Sequence, residues 1–399
     1  MSYEMILSKN QRAKFEHKDN SNILVLGQVG TGKTRSHVLP NIIEQDTVSL
    51  VIADTKQEVH AKCATLLRKK GYIIKYIDLD NPAASKDYFN PFVYINSPED
   101  ILMLSNIIVA AQQEHTRADP YWDDSALLML SAVVAYMCEE LHPAERTLYN
   151  LRRLVCAFKV HDDIPDYKSP LEILFDDLAV KNPNSYALKQ WQAFSTIKGV
   201  SKTSSTIMSV LLSKFAQLLT PDVERLTSKD TLAFASIGHK KTALFISVSD
   251  VDRSKDRLAS LLYSLLLNTL RNEADQQPDK GLPIHVHFFL DDFSTNVCIP
   301  SFDNYISCMR SREVSFSVIL QSEDQLHRLY GRNAGTIIAN CGYYLFLGSN
   351  DLDCCQKIAR RMNVPLDRVL YKQRNQVFVL SNFERPIVDT VYDLTAHGL

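Results

Sequence analysis

The chain has 399 residues, 45% of them hydrophobic and 23% charged, with a formal net charge of −2. That balance supplies a sizeable core and allows one large domain with an insertion or two domains. It excludes a global basic field for nucleic acid, so any DNA contact needs a local patch or a pore built by oligomerisation. The eight cysteines form no Cys-x-x-Cys pair, the pattern of a reduced intracellular protein rather than a disulfide scaffold. The polar N-terminal segment carries no signal-peptide core. The apolar runs 126–137 and 258–270 fall short of the roughly 20 residues that span a bilayer and read as buried helices.

In chain order, short runs rich in Val, Ile, Leu and Phe predict strands at 22–27, 48–54, 72–79, 242–250, 284–292, 315–322 and 343–349. Each is apolar on both faces, as in a sheet covered by helices, and helical patterns separate most of them, so parallel β-α-β units are expected. Residues 98–228 contain no convincing strand. "SPEDILMLSNIIVAAQQ" opens with a Ser-x-x-Asp cap signal. "DSALLMLSAVVAYMCEEL", "RTLYNLRRLVCAFKV", "PLEILFDDLAV" and "TSSTIMSVLLSKFAQLL" continue at helical spacing. The expected architecture is an α/β nucleotide-binding domain in two parts, 1–97 and 229–399, around an all-α domain at 98–228.

The first strand runs into Gly27-Gln28-Val29-Gly30-Thr31-Gly32-Lys33-Thr34, the G-x-x-x-x-G-K-T pattern, followed by a helix. The glycines permit a backbone whose N–H groups point into the loop, Lys33 can reach β- and γ-phosphates, and the Thr34 hydroxyl can ligate Mg²⁺. A chance strand-turn-helix connection explains the glycines but not Lys-Thr in this context. "VHFFLDDF" ends an apolar strand in two carboxylates. Such a strand is expected beside the loop strand, with Asp291 on Mg²⁺ and Asp292 polarising the attacking water. Gln321 ends the next strand, where it either senses the γ-phosphate or merely caps.

These pieces, in order with "VIADTKQE", "YFNPFVYI", "DPYWDDSALLML", "FLDDFSTNVCIPSFDNYISCMRSRE", "VILQSEDQLHRLYG" and "TIIANCGYYLFLGSND", give the chain its resemblance to a known family. It resembles the cytosolic ATPase of TraG-type coupling proteins of type IV secretion and conjugation, relatives of the hexameric FtsK- and HerA-type translocases. The resemblance implies a RecA-like P-loop NTPase with an inserted all-α domain, using ATP and Mg²⁺. Lys33 and Thr34 match the phosphate and Mg²⁺ positions, Asp291 the Mg²⁺-linked acid and Gln321 the strand-end glutamine. Arg310 matches an arginine finger that reaches a neighbour's nucleotide, with Arg312 a second candidate. The implied partners are single-stranded DNA, a relaxase or other secretion substrate, channel components, and further copies in a hexamer that can be monomeric in isolation. The rival readings are a low-turnover adaptor and a double-stranded DNA pump of the FtsK type.

The sequence departs from that family in three places. Asp292 stands where relatives have Glu. "DTKQE" keeps Asp54, Lys56 and Glu58 but not the usual Pro and Gly, and these three have no assigned chemistry. No transmembrane segment precedes the loop strand, so a cytoplasmic protein docked at the inner face of the membrane through a separate anchor is expected. Basic clusters at Arg68–Lys69–Lys70, Arg152–Arg153, His239–Lys240–Lys241 and Arg360–Arg361 read first as solvated faces. His285 and His287 read as packed histidines, Cys354 and Cys355 as packing residues, and Trp122 as an anchor of the helical domain.

Overall fold

The computed structural model describes residues 2–109, 120–161, 164, 167–197, 201–249, 251–293, 298–382 and 384–397. Outside these lie 110–113 of the first helix predicted in the insertion, 119 of "DPYWDD", 250 at the end of one predicted strand, and 294–297 of the segment after the paired carboxylates. The chain divides into two compact units. One comprises Met1–Asp80, Ala233–Asp256 and Leu266–Leu399; the other comprises Asn81–Leu232 and Arg257–Leu265.

The first unit opens with an antiparallel hairpin, β1 (Tyr3–Ile6) and β2 (Arg12–Phe15). Its sheet contains β3 (Ile23–Gly27), β4 (Ser49–Ala53), β5 (Ile73–Asp78), β6 (Thr242–Ser247), β7 (Val286–Leu290), β8 (Val314–Leu320), β9 (Tyr343–Gly348), β10 (Gln376–Ser381) and β11 (Ile387–Thr390). The nine strands run in the order β11-β10-β9-β3-β8-β7-β4-β6-β5. From β9 to β5 every pairing is parallel, while β10 is antiparallel to both its neighbours. The wholly buried β3, β4, β6, β7 and β8 explain the apolar runs seen in the sequence. All seven predicted strands are present within a few residues of their expected bounds.

The strand order corrects one expectation. β7 does not lie beside β3, because β8 stands between them, pairing Leu26 with Leu320 on one side and Val318 with Leu290 on the other. The residue after β8, Gln321, is therefore delivered between the loop after β3 and the carboxylates after β7. The first two helices, α1 (Leu39–Glu44) and α2 (Glu58–Lys69), connect β3 to β4 and β4 to β5. One face of the sheet buries Ile23, Val25, Leu50, Ile52, Phe289 and Ile319 in a single core with α1 and α2.

Among its described residues the second unit holds helices and turns and no strand. Its helices are α3 (Pro98–Val109), α4 (Pro120–Glu140), α5 (Leu148–Cys156), α6 (Pro170–Lys181), α7 (Tyr186–Ile197), α8 (Ser201–Leu218) and α9 (Pro221–Leu226). Later in the chain come α10 (Asp256–Asp275), α11 (Phe302–Cys308), α12 (Glu323–Tyr330), α13 (Ala334–Ala339), α14 (Leu352–Met362) and α15 (Leu366–Leu370). The cap signal at the start of α3 is made: Ser97 Oγ accepts from Asp100 N at 3.2 Å while Asp100 Oδ2 accepts from Ser97 N at 3.0 Å. The aromatic anchor is Trp191, not Trp122. Trp191 stacks on Phe175 at 4.2 Å with its ring nearly parallel, and removing such a buried ring costs about 3–5 kcal/mol. Trp122 is half-buried and lies edge-on to Tyr121. The contact boundary falls at Asp80/Asn81 and Leu232/Ala233, where composition placed it at 97/98 and 228/229. The segment after Asp80 packs onto α9 and the turn that leaves it: Arg225 donates to Pro82 O, Phe89 N to Leu226 O and Tyr88 N to the Thr231 hydroxyl.

Candidate active site

The loop after β3 is shaped by its glycines. A Cβ at Gly27 would lie 2.5 Å from Thr31 Oγ1 and 2.9 Å from Leu347, so only glycine lets the loop close on itself there. Gly30 and Gly32 take φ of +78° and +86°, the left-handed region that other residues enter at a cost. Thr31 seals the turn, its N–H and hydroxyl both donating to Gln28 O. Val29 and Gly30 stand exposed at the tip. One π-helical turn, Thr34–Val38, then runs into α1. Lys33 is buried, and its Nζ donates to Gly27 O at 2.7 Å and Gln28 O at 3.3 Å. Burial lowers its pKa, opposed by the carboxylates of Asp292 and Asp291. A lysine folded onto its own loop's carbonyls is held in reserve for an anion.

Across the sheet end, Thr34 Oγ1 donates to Asp291 Oδ2 at 2.5 Å. Asp291 is buried, and desolvation, with the neighbouring Asp292 carboxylate, pushes its pKa up to about 6 against the bond from Thr34 and the charge of Lys33. Asp292 N donates to Asp291 Oδ1 at 3.0 Å, and Gln321 Nε2 donates to Asp292 Oδ1 at 3.3 Å. Asp292 sits at φ 47°, a left-handed conformation that costs a non-glycine residue on the order of 1 kcal/mol. Thr34, Asp54, Thr55, Lys56, Glu58, Asp291 and Asp292 line a cleft of roughly 100 Å³. A hydroxyl and a carboxylate this close make a hard-oxygen donor pair suited to Mg²⁺. The glycine loop and Lys33 suit a polyphosphate.

Sequence reasoning left Asp54, Lys56 and Glu58 without a role. Asp54 is buried and accepts from Val59 N at 3.2 Å and His60 N at 2.7 Å, so it caps α2. That cap fixes the connection into α2, where Lys56 and Glu58, the first residue of the helix, form one wall of the cleft, Glu58 pairing also with Lys62. Arg310 and Arg312 lie at the other end of β8, in a short turn after α11. The seven-residue strand separates that turn from Gln321 by roughly 23 Å. Arg312 is bidentate on Asp275 at 2.9 and 3.1 Å, whereas Arg310 is exposed and has no ion pair among the described residues.

His285 and His287 belong to a buried hydrogen-bonded chain. It runs from Tyr3 Oη to His285 Nε2 (2.9 Å), on to Ser315 (2.7 Å), His287 (2.7 Å), Ser317 (2.9 Å) and His37 Nε2 (3.1 Å). His37 in turn meets Asn41, which bonds both ways with the backbone of Ile6. Glu313 anchors the far end on His285 Nδ1 at 3.0 Å and on His17. Burial lowers the pKa of His37 to about 4 and also depresses His285 and His287. Much of the basic sequence is spent locally: Lys70 donates to the last carbonyls of α1, Arg152 pairs with Glu224, His239 with Glu273, and Arg361 lies over Tyr344. Cys354 and Cys355 are buried and all eight cysteines are free.

The family model for type IV secretory system conjugative DNA transfer matches residues 6–362. The chain belongs to this family. Among solved structures, the bacterial conjugative coupling protein TrwB, in a trigonal form with sulphate, aligns at 15% identity over 98% of this chain and 94% of its own, with a TM-score of 0.69. Plasmid coupling protein TrwB with the non-hydrolysable ATP analogue ADPNP aligns at 15% identity over 94% and 86%, TM-score 0.64. VirB4 of Thermoanaerobacter pseudethanolicus aligns at 15% identity over 99% and 98%, TM-score 0.54. No curated protein matches the chain. At these identities the structures establish the shared fold of this family member: a mostly parallel sheet with a helical unit inserted in sequence between its halves.

Proposed function

We propose that this member of the conjugative DNA transfer family is an ATP-driven coupling ATPase. It recruits a relaxase–DNA complex or another secretion substrate and delivers it to a type IV secretion channel. The observation that carries the reading is the 2.5 Å contact between Thr34 and Asp291, made beside Lys33 on a glycine-shaped loop. The TrwB structures with ADPNP and with ADP and Mg²⁺ support ATP and Mg²⁺ as the ligands. When bound, Mg²⁺ would neutralise charge on the phosphates. Gly27–Thr34 would cradle the phosphates, Lys33, now on its own loop's carbonyls, would supply the cation for the β- and γ-phosphates, and Thr34 and Asp291 would hold Mg²⁺. Asp292, steadied by Gln321, takes the proton of the attacking water.

Arg310 completes the site of a neighbouring copy. The separation along β8 keeps it from its own chain's phosphates, so its use as a finger requires a ring, in keeping with a hexamer. No helix among the described residues is long and apolar enough to cross a membrane, and a location at the inner membrane face through a separate anchor belongs to this proposal. Steady-state ATP hydrolysis, with and without single-stranded DNA, tests the reading with Lys33→Ala. Loss of at least about a hundredfold is expected; a rate that survives the substitution defeats the proposal.

A further inference from the structure

The groups assigned so far all lie to one side of β3, the side of β8 and β7. On the other side, toward β9 and β10, one more cation, Arg374, meets the same loop. The helices α14 and α15 lead from β9 to a tight turn, 371–375, that opens β10. This turn is firmly built. Lys372 Nζ donates to Gln376 O at 2.9 Å and Gln373 O at 3.2 Å, and Gln376 N closes on Gln373 O at 3.0 Å. The Lys372 stem packs on Gly348, where a Cβ would come within 3.1 Å of Lys372 Cε. Gly348 takes φ +127°, and its carbonyl accepts from Gln28 N at 3.2 Å, tying β9 to the phosphate loop itself.

From this turn the Arg374 guanidinium reaches over the loop, its Nη2 3.5 Å from Gly30 O. That is a marginal hydrogen bond to an exposed carbonyl, so the contact places Arg374 without committing it. Arg374 is exposed and makes no ion pair among the described residues. The direction of a bound nucleotide is set from the other side. The terminal phosphate must face Asp291, Asp292 and Gln321, where water is activated. A chain of phosphates so directed would lead back across the loop toward β9 and bring its inner end to the side of the loop that Arg374 overhangs at Gly30 O. A guanidinium there is matched in charge and planar geometry to phosphate oxygens.

We infer that Arg374 is a nucleotide-binding residue that holds the inner end of the nucleotide, the α-phosphate and ribose side common to ADP and ATP. This rests on the proposed nucleotide site and deepens it. A contact made equally with ADP and ATP, and equally before and during hydrolysis, contributes uniform binding. The substitution should therefore raise KM and leave kcat in place.

The test measures the affinity of the full chain for a fluorescent ADP with Mg²⁺, the competition by ATP, and the kinetics of hydrolysis. Arg374→Ala should weaken ADP and ATP alike, on the order of tenfold, with KM rising in parallel and kcat retained. Arg374→Lys should recover part of the affinity through its point charge. Arg374→Gln, which keeps a polar group near Gly30 but not the charge, should behave like alanine and serves if the alanine variant does not fold. Unchanged ADP affinity overturns the inference, as does a loss confined to ATP or to kcat, which would put Arg374 at the terminal phosphate. Failure of the wild-type chain to bind ADP at all, by contrast, defeats the proposed function together with it.

Discussion

The two ends of β7 and β8 carry polar groups of opposite character. At the N-terminal end, His285, His287, Ser315 and Ser317 are buried, neutral and joined into one hydrogen-bonded chain that continues to Tyr3 and His37. At the C-terminal end, Asp291 and Asp292 line a small cleft together with Asp54, Glu58 and Lys56, and Asp291 is pushed up to about 6 by burial. The first arrangement satisfies buried polar groups in place and stabilises the fold. The second gathers carboxylates, Asp54 and Asp291 buried among them, and burial raises the pKa of Asp291, an arrangement that a cation and a polyphosphate would relieve. Stability and function are thus separated along two strands, over roughly 20 Å.

The largest effect tests Arg310, an exposed charge at the N-terminal end with no ion pair among the described residues. Arg310→Ala should cut DNA-stimulated hydrolysis by about 10³-fold or more if it acts as a finger in a ring. Arg312→Ala should act mainly on stability, since Arg312 is already bidentate on Asp275. Equal losses of rate in the two variants would erase that distinction. Mixing Arg310→Ala with Lys33→Ala chains sharpens it further, because activity returns only where an intact finger meets an intact loop of another copy.

Asp291→Asn separates the two ends directly. Hydrolysis should fall about 10²–10³-fold. The nucleotide-free chain should nevertheless become more stable at pH 7, by on the order of 1 kcal/mol, because a buried charge disappears and the amide oxygen still accepts from Thr34, a gain partly offset where the amide NH2 replaces the acceptor of Asp292 N. Denaturant unfolding measures the gain, and a destabilised variant would show that the carboxylate is compensated after all. At the other end, Ser317→Ala leaves nitrogens of His287 and His37 without a partner and should cost about 1–3 kcal/mol with no comparable change in KM.

Acid separates the ends by sign. His37 has its folded pKa lowered to about 4. From the unfolded value near 6.5 downward, the unfolded chain binds more protons, so stability is complete above that value and lost as pH falls from about 6.5 toward about 4. Asp291 is raised to about 6. There the folded chain binds the proton first, so its contribution improves as pH falls from about 6 toward the unfolded value near 3.9. The two oppose each other in one window. Stability against pH should therefore fall more steeply in Asp291→Asn and less steeply in His37→Gln than in the wild type, each by up to about 1.4 kcal/mol per pH unit. Parallel curves would mean that neither group titrates as its burial requires.

The same contrast explains what could be read in the sequence. The C-terminal end was legible because its chemistry is local: the loop, the paired Asp after β7 and Gln321 after β8 each close an apolar run. The N-terminal end was not. His285 and His287 signal only that they share a strand face, and the partners that make them a chain come from β1, β8 and the turn after the loop. The interposition of β8 between β3 and β7 is likewise a fact of pairing, which no single run encodes. β11 and the hairpin β1–β2 escape the sequence reading because each of these strands has only four residues, too few for a periodicity to stand out, and the six-residue β10, apolar like its neighbour β9, is passed over as well. Arg374 was invisible for a related reason: nothing near it in sequence signals a phosphate loop more than three hundred residues away.

The smallest effect concerns Asp292. Its φ of 47° and its bond from Gln321 fix where the carboxylate stands, and Asp is one methylene shorter than Glu. A glutamate at this position would carry the same charge about 1.5 Å farther, past Gln321 and into the cleft. If Asp292 is well placed as it is, Asp292→Glu gains nothing and crowds Gln321, so turnover stays level or falls a few-fold. If instead the shorter chain holds the base back from the water, turnover rises several-fold while ADP affinity is unchanged, because the phosphate loop and Arg374 are untouched. A large rise would make the native chain a slow ATPase that recruits cargo more than it drives it. An unchanged rate would leave the strained backbone at Asp292, rather than the length of its side chain, as the feature that sets the base.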